Sequence, residues 1–248
     1  MMTWPDEETV QQSDAGDHVL LVVHGGLSMA SANLTVRRAL RKHLLDRGRV
    51  VVDLSGATVR WTPAVDVFPS VLAAAGGWPS ARLTLAGADS TTERVLRSAR
   101  VHLTVPVAGD RDQARVLLDV RPERVSRRHE MPCDLMAPWL ARSFGELACD
   151  DWELDLALGD AMLMVVTELV GNAVEHAGTD SVLSLRLDHR RLTVAVRDHR
   201  PAAEGLPRPG VHGERGYGLL MVQGVSRAWG VTRHDDGKTV WAVLDAGD

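Results

Sequence analysis

The chain has 248 residues, 45% of them hydrophobic and 25% charged, with a formal net charge of -5. That length suits one large domain or two small ones, each able to bury a core. The negative charge argues against a sequence-independent phosphate-backbone binder. Two cysteines, Cys133 and Cys149, exclude a disulfide scaffold and a cysteine-rich zinc site. The acidic, polar stretch Met1–Asp17 has neither the basic start nor the apolar run of a secretory signal. Apolar runs such as Ala161–Val166 are short for a membrane span, so a cytoplasmic protein with free thiols is expected. Of the 28 basic residues only Lys42 and Lys238 are lysine, so chemistry that needs a lysine has two candidates.

The first half reads as alternating strands and helices. Short β-branched or apolar runs at His18–His24, Arg49–Leu54, Ala81–Ala86 and Val101–Val107 are predicted strands. Helical spacing marks Ala30–Asp46, Ala64–Ala75, Ser90–Arg100 and Arg111–Val120, with Gly48 and Gly76-Gly77 as stop signals. This alternation predicts an α/β layer. The short, charged, proline-led segment Pro122–Arg128 is the predicted domain boundary, giving one domain over 17–121 and a second over 128–246.

The second half changes order. Helices are expected at Leu135–Leu147 and Asp155–Ala177, with Asp134 and Asp151 as capping candidates. Strands follow at Val182–Leu187 and Leu192–Arg197. A loop rich in glycine, proline and charge runs from Asp198 to Arg215. A helix at Tyr217–Ala228 and strands at Val231–His234 and Thr239–Leu244 complete the chain, the last two joined by the hairpin signal Asp235-Asp236-Gly237. Helices ahead of an antiparallel sheet predict an α+β sandwich with helices on one face.

The chemistry-bearing residues gather in this half. Glu168 and Asn172 lie four apart and share a helix face. A carboxylate beside an amide can activate a hydroxyl while the amide oxygen holds magnesium, although this spacing alone more often marks a solvated polar face. Asp198 ends an apolar strand, where a buried carboxylate can accept from an exocyclic amine such as adenine N6; alone, it reads as a turn residue. Gly213-Glu214-Arg215-Gly216-Tyr217-Gly218 opens a helix, and glycines there let backbone N–H groups approach phosphate. Gly237-Lys238-Thr239 is not the end of a P-loop, because a Walker motif needs glycine where Thr232 stands. His129-Glu130-Met131-Pro132 faintly resembles a phosphoacceptor box, but Pro132 would interrupt the long helix such a box requires.

Taken in order, Glu168-Leu169 with Asn172-Ala173 and His176-Ala177, a strand ending in Asp198, the Gly213–Leu219 run and Gly237-Lys238-Thr239-Val240-Trp241 resemble the GHKL ATPase family. More narrowly, they resemble its anti-sigma-factor serine kinase branch, over about Arg128 to Ala246. The resemblance implies ATP and magnesium as ligands. It assigns Glu168 as general base, Asn172 as magnesium ligand, Asp198 as adenine reader, Gly216 and Gly218 to the ATP lid with Arg215 as a phosphate contact, and Thr239 to the adenine side. His176 falls where that branch often has a histidine; a histidine near the last carbonyls of a helix is an equal reading. The sequence departs from the family's Asp-x-Gly, reading Asp198-His199-Arg200. The implied partners are a STAS-domain anti-anti-sigma factor, a sigma factor, or both, with dimerisation through the ATPase domain as a family habit, and no nucleic acid or membrane.

In that light Arg49–Gly56 and Leu83–Ala88 resemble the central strands of a STAS domain, over about His18 to Val120. Where that family presents a phosphorylatable serine, this chain has Trp61-Thr62-Pro63-Ala64, and Pro63 carries no hydroxyl. The implied function is a regulatory serine/threonine-protein kinase fused to a STAS-like module that is not phosphorylated. A nucleotide-sensing binding module without phosphotransfer is the alternative, since both need the same pocket.

Overall fold

The computed structural model describes residues 9–27, 32–59, 62–189, 191–200 and 217–245. It divides into two compact units, Met1–Val125 and Ser126–Asp248. The mixed α/β class expected from the sequence is the observed one.

The N-terminal unit is built on a five-stranded sheet of order β1-β2-β3-β4-β5. Its strands are β1 (Thr9–Asp14), β2 (Val19–Leu27), β3 (Arg49–Val59), β4 (Arg82–Ala86) and β5 (Val107–Ala108). β1 pairs antiparallel with β2, and β2 through β5 run parallel. The helices are α1 (Arg37–Arg47), α2 (Val67–Ala74), α3 (Ser90–Ser98) and α4 (Arg111–Leu117). β3 explains the layering. Val50, Val52 and Leu54 join one core with Leu40, Leu44 and Phe68, while Val51 joins another with Ala114 and Leu118. A strand covered on both faces reads as consecutive apolar residues, as Val50–Val52 do. Gly48, at φ +71°, ends α1 in the left-handed conformation that glycine adopts without steric cost.

Two elements depart from the sequence reading. Val101–Val107 forms no long strand. Arg100 takes a left-handed conformation, Val101–Leu103 makes a 3-10 turn, and the Val105 N–H donates to the Val101 carbonyl at 2.8 Å, leaving only Val107–Ala108 for pairing. The alternating valines imitated a strand because Val101 and Val105 are both buried through the turn. Conversely β1, Thr-Val-Gln-Gln-Ser-Asp, is an edge strand whose side chains are mostly exposed. It has no apolar face to announce it.

The C-terminal unit holds a second five-stranded sheet, order β6-β7-β8-β10-β9. Its strands are β6 (Arg124–Met131), β7 (Ser181–Asp188), β8 (Arg191–Asp198), β9 (Ala228–His234) and β10 (Gly237–Asp245). The helices are α5 (Ala137–Trp152), α6 (Leu156–Ala177) and α7 (Tyr217–Val225). The division between the units, after Val125, falls within the expected boundary segment Pro122–Arg128, and β6 begins inside that segment. The second half of the segment enters the sheet with Val125 and Arg127 buried at 2% and 4% exposure. Arg127 pairs with Asp151 and lies over the Trp152 ring, so Asp151 serves an ion pair and not a helix cap. Asp155 caps α6 instead, accepting from the Leu158 N–H at 2.9 Å. Asp134 accepts from the Met136 N–H at 2.7 Å, one residue ahead of α5.

α6 is the core helix. Leu158, Met162, Val165, Val166, Leu169, Val170 and Ala173 form its buried side. It is long and apolar enough to meet the length and composition test for a membrane span, which the shorter apolar runs did not suggest, and half of that window is buried within the fold. A Cβ on Gly145 of α5 would lie 2.8 Å from a Leu163 methyl, so glycine there allows α5 to approach α6 closely. The inward rows of β7 and β8 are in register, Leu183 against Val196, Leu185 against Val194 and Leu187 against Leu192, and all six are buried.

Candidate nucleotide site

The apolar inner face of the C-terminal sheet ends in a polar row. Ser181 of β7, Asp198 of β8 and Lys238 of β10 stand directly opposite one another. Ser181 and Asp198 are 3% and 2% exposed. Because side chains alternate along a strand, Asp198 shares its face with Val196 and Val194, the face on which α6 packs. A carboxylate so buried requires partners. Asp198 has them: Lys238 Nζ is 2.8 Å from Oδ2, and the Arg200 N–H donates to Oδ1 at 3.1 Å.

The chain after β8 is fastened to the end of α6. The His199 N–H donates to Thr179 Oγ1 at 3.2 Å, and the Arg200 guanidinium donates to the His176 carbonyl. Arg200 thus has a structural reason to stand where the family pattern has glycine: it satisfies a C-terminal carbonyl of α6 that the helix leaves unpaired. The His176 imidazole is exposed. Gly178, at φ +63°, turns the chain out of α6. A Cβ on Gly237 would lie 2.1 Å from the Asp198 carbonyl oxygen, so glycine is required for that close pass.

Glu168 and Asn172 occupy successive turns of α6, both half-buried. The Glu168 carboxylate reaches the first turn of α7, where its Oε2 lies 2.0 Å from the place a Cβ on Gly218 would take. The Asn172 amide nitrogen is buried and has no hydrogen-bond partner among the described residues. A buried amide left unpaired is costly, and a phosphate oxygen or, with the amide turned over, a hydrated cation satisfies it. Among the described residues no group of three or more His, Cys, Asp or Glu side chains gathers. A magnesium ion here would therefore rest on Asn172, phosphate oxygens and water, the usual habit of that ion in phosphate sites. The carboxylate against a glycine backbone and the orphaned amide fit ATP with magnesium. Arg215 and Gly216, the other expected lid residues, lie outside the described residues.

Thr239 is not brought to this site. It stands opposite Arg197, on the outer face of β10, and its Oγ1 is 3.0 Å from His234 Nε2. Lys238, one residue earlier, is the β10 side chain that faces Asp198. The sequence marks Lys238 as one of two candidates for lysine chemistry but gives it no place at the adenine side. The signal that could have found it is strand register, since Gly237 begins β10 and the alternation sets position 238 inward.

A helix-backed sheet with a carboxylate and an amide on the core helix and a buried aspartate at a strand end suits an ATPase-type nucleotide domain. Residues 133–244 match the histidine kinase-like ATPase domain family, just under half of the chain, and that match implies ATP binding. No curated protein matches. Among solved structures, the chain is similar to an anti-sigma factor antagonist from Mycobacterium paratuberculosis, at 18% identity over 47% of this chain and 98% of that one, TM-score 0.41. It is also similar to the RsbU and RsbW domains of a Mycobacterium tuberculosis protein, at 16% identity over 48% of this chain and 31% of that one, TM-score 0.39. A third is the histidine kinase domain of a blue-light activated histidine kinase from Erythrobacter litoralis, at 18% identity over 46% and 61%, TM-score 0.32.

Proposed function

We propose that the chain is a regulatory, ATP-dependent serine/threonine-protein kinase of the anti-sigma-factor type, acting in the cytoplasm on a STAS-domain partner, sequestering a sigma factor, or both. The observation that carries the reading is the Glu168 carboxylate seated against the Gly218 backbone with Asn172 one helical turn away. Glu168 takes the proton of the acceptor hydroxyl as the bond from its oxygen to the γ-phosphorus forms. The bond from that phosphorus to the β–γ bridging oxygen breaks, and ADP leaves. Asn172 would hold magnesium, which when bound would neutralise phosphate charge. By the family resemblance Gly216 and Gly218 would belong to the ATP lid, Arg215 would contact a phosphate, and Asp198 would orient the adenine. Catalysis in phosphoryl transfer is mostly positioning and charge neutralisation, so two side chains on one rigid helix suit the task.

The N-terminal unit would be a STAS-like module over about residues 17–121 and the ATPase domain would occupy about 128–246, extended at its start by the β6 strand. The module would recognise partners by shape without accepting phosphate, because Pro63 takes the acceptor position at the entry to α2. Dimerisation through the ATPase domain belongs to the same reading.

The test is incubation of the full chain with labelled ATP, magnesium and a panel of STAS proteins, followed by phosphosite mapping. Transfer to a partner Ser or Thr is expected, and Glu168→Ala should reduce it about 10²- to 10⁴-fold while nucleotide binding persists. ATP binding without transfer to any partner assigns the chain to the alternative, a nucleotide-sensing binding module.

A further inference from the structure

We propose that Lys238 reads the nucleobase, donating to N1 of adenine while Asp198 accepts from N6. This rests on the nucleotide-site reading above and adds to it the residue that completes base recognition.

An ionised carboxylate only accepts hydrogen bonds and an ammonium group only donates them. Asp198 Oδ2 and Lys238 Nζ, 2.8 Å apart, therefore present an acceptor beside a donor. The Watson–Crick edge of adenine presents the complement, an N6–H donor beside the N1 acceptor, and enzymes read unstacked bases on that edge. Guanine reverses the order, with the O6 acceptor where adenine has N6. Neither protein group is exhausted by the pair. Lys238 gives one of its three N–H bonds to Asp198 and keeps two, and each Asp198 oxygen retains a lone pair beyond its present partner.

Placement supports the chemistry. Asp198 is almost fully buried and its Lys238 partner is about four-fifths buried, so both act where water competes weakly. Gly237 admits the close pass of β10 against the end of β8 that sets Lys238 in register. Thr239, the residue expected on the adenine side, faces away, which leaves Lys238 as the β10 side chain able to reach a base held by Asp198. In a chain with two lysines and 26 arginines, the one facing Asp198 is a lysine. Its ammonium is a compact charge with three rotatable donors on a flexible stem, unlike the rigid planar fork of an arginine.

Calorimetry on the full chain tests this with ATP, its 1-deaza analogue, which lacks the N1 acceptor, and GTP. Wild type is expected to bind ATP about tenfold to a hundredfold more tightly than 1-deaza-ATP, the range for leaving one buried donor unpaired, and to bind GTP more weakly still. Lys238→Met should bring ATP down to the level of 1-deaza-ATP. Equal affinity of wild type for ATP and 1-deaza-ATP overturns the proposal while leaving the nucleotide site intact, and needs no variant to fold. Tighter ATP binding by Lys238→Met also overturns it, because Lys238 would then obstruct the base. A wild type that binds no nucleotide overturns both this inference and the reading on which it rests.

Discussion

The carboxylate of Glu168 and the backbone of Gly218 approach so closely that any side chain at position 218 would displace one of them. A Cβ there would sit 2.0 Å from Glu168 Oε2 and 3.0 Å from its Cδ. The contact joins α6 to the first turn of α7, the end of a helix where backbone N–H groups lack intrahelical partners. A side chain at position 218 would therefore push the Glu168 carboxylate, the far end of a flexible side chain, out of this position.

Gly218→Ala is expected to lower phosphotransfer by at least tenfold with a smaller change in thermal stability, because the Glu168 side chain can swing aside but then leaves its working position. Misplacing a catalytic group by about 1 Å is enough to cost on the order of a hundredfold in rate. Single-turnover transfer kinetics beside a melting curve check this. An unchanged rate would show that Glu168 needs no fixed position against α7.

How far the sequence disclosed this arrangement depends on what each residue faces. α6 was legible because its apolar residues recur at helical spacing, and Glu168 with Asn172 could be set on one face from their spacing alone. β3 was legible because burial on both faces leaves three consecutive valines, Val50–Val52. β6 was not legible: Arg-Val-Ser-Arg-Arg-His-Glu-Met looks like a solvated linker until Arg127 is seen turned inward against Asp151 and Trp152. Thr239 and Lys238 are adjacent, and which one enters the site is decided by strand register. A one-residue choice there exchanges the two faces, and short strands bounded by a turn do not fix that choice by composition.

The N-terminal unit carries its own acid-sensitive element. Asp53 is 3% exposed. Burial pushes its carboxyl pKa up, but the Ser55 amide and hydroxyl and the Arg111 guanidinium more than offset this, and the net shift is downward. The Ser55 N–H donates to Oδ1 at 2.7 Å and Arg111 pairs with Oδ2. A depressed carboxylate stabilises the fold at pH values above its unfolded pKa of about 3.9, and that contribution is lost as pH falls through the folded pKa. Chemical denaturation from pH 7 down to pH 3 should show a stability loss below about pH 4 that is smaller in Asp53→Asn, which is already less stable at pH 7. Parallel curves for the two proteins would remove Asp53 from the acid response.

The two thiols should differ in reactivity. Cys133 is exposed and Cys149 is half-buried. Burial first, then the carboxylates of Asp150, Glu146 and Asp160, raises the Cys149 pKa. Since the thiolate is the nucleophile, a thiol-exchange reagent at pH 8 should label Cys133 first and Cys149 roughly tenfold more slowly or worse. Peptide mapping after partial labelling identifies the site. Comparable labelling of both would mean that α5 opens readily around Cys149.

The strand β6 decides where the chain can be cut. It belongs to the sheet of the C-terminal unit, beside β7, although Val125 lies on the N-terminal side of the division between units. Val125 and Met131 are buried at 2% and 0% exposure, and burying each such side chain stabilises by about 1.5–3 kcal/mol. A fragment beginning at Glu123 keeps the whole strand, with Arg127 still paired to Asp151. It should fold and bind ATP as tightly as the full chain. A fragment beginning at Pro132 loses both apolar side chains and leaves Asp151 and Trp152 without Arg127, so it should melt at a markedly lower temperature or precipitate. Expression of the two fragments, with melting curves and nucleotide calorimetry, separates the outcomes. If the longer fragment fails to bind ATP while the full chain succeeds, the nucleotide site depends on residues before Glu123, and the separate-domain reading falls.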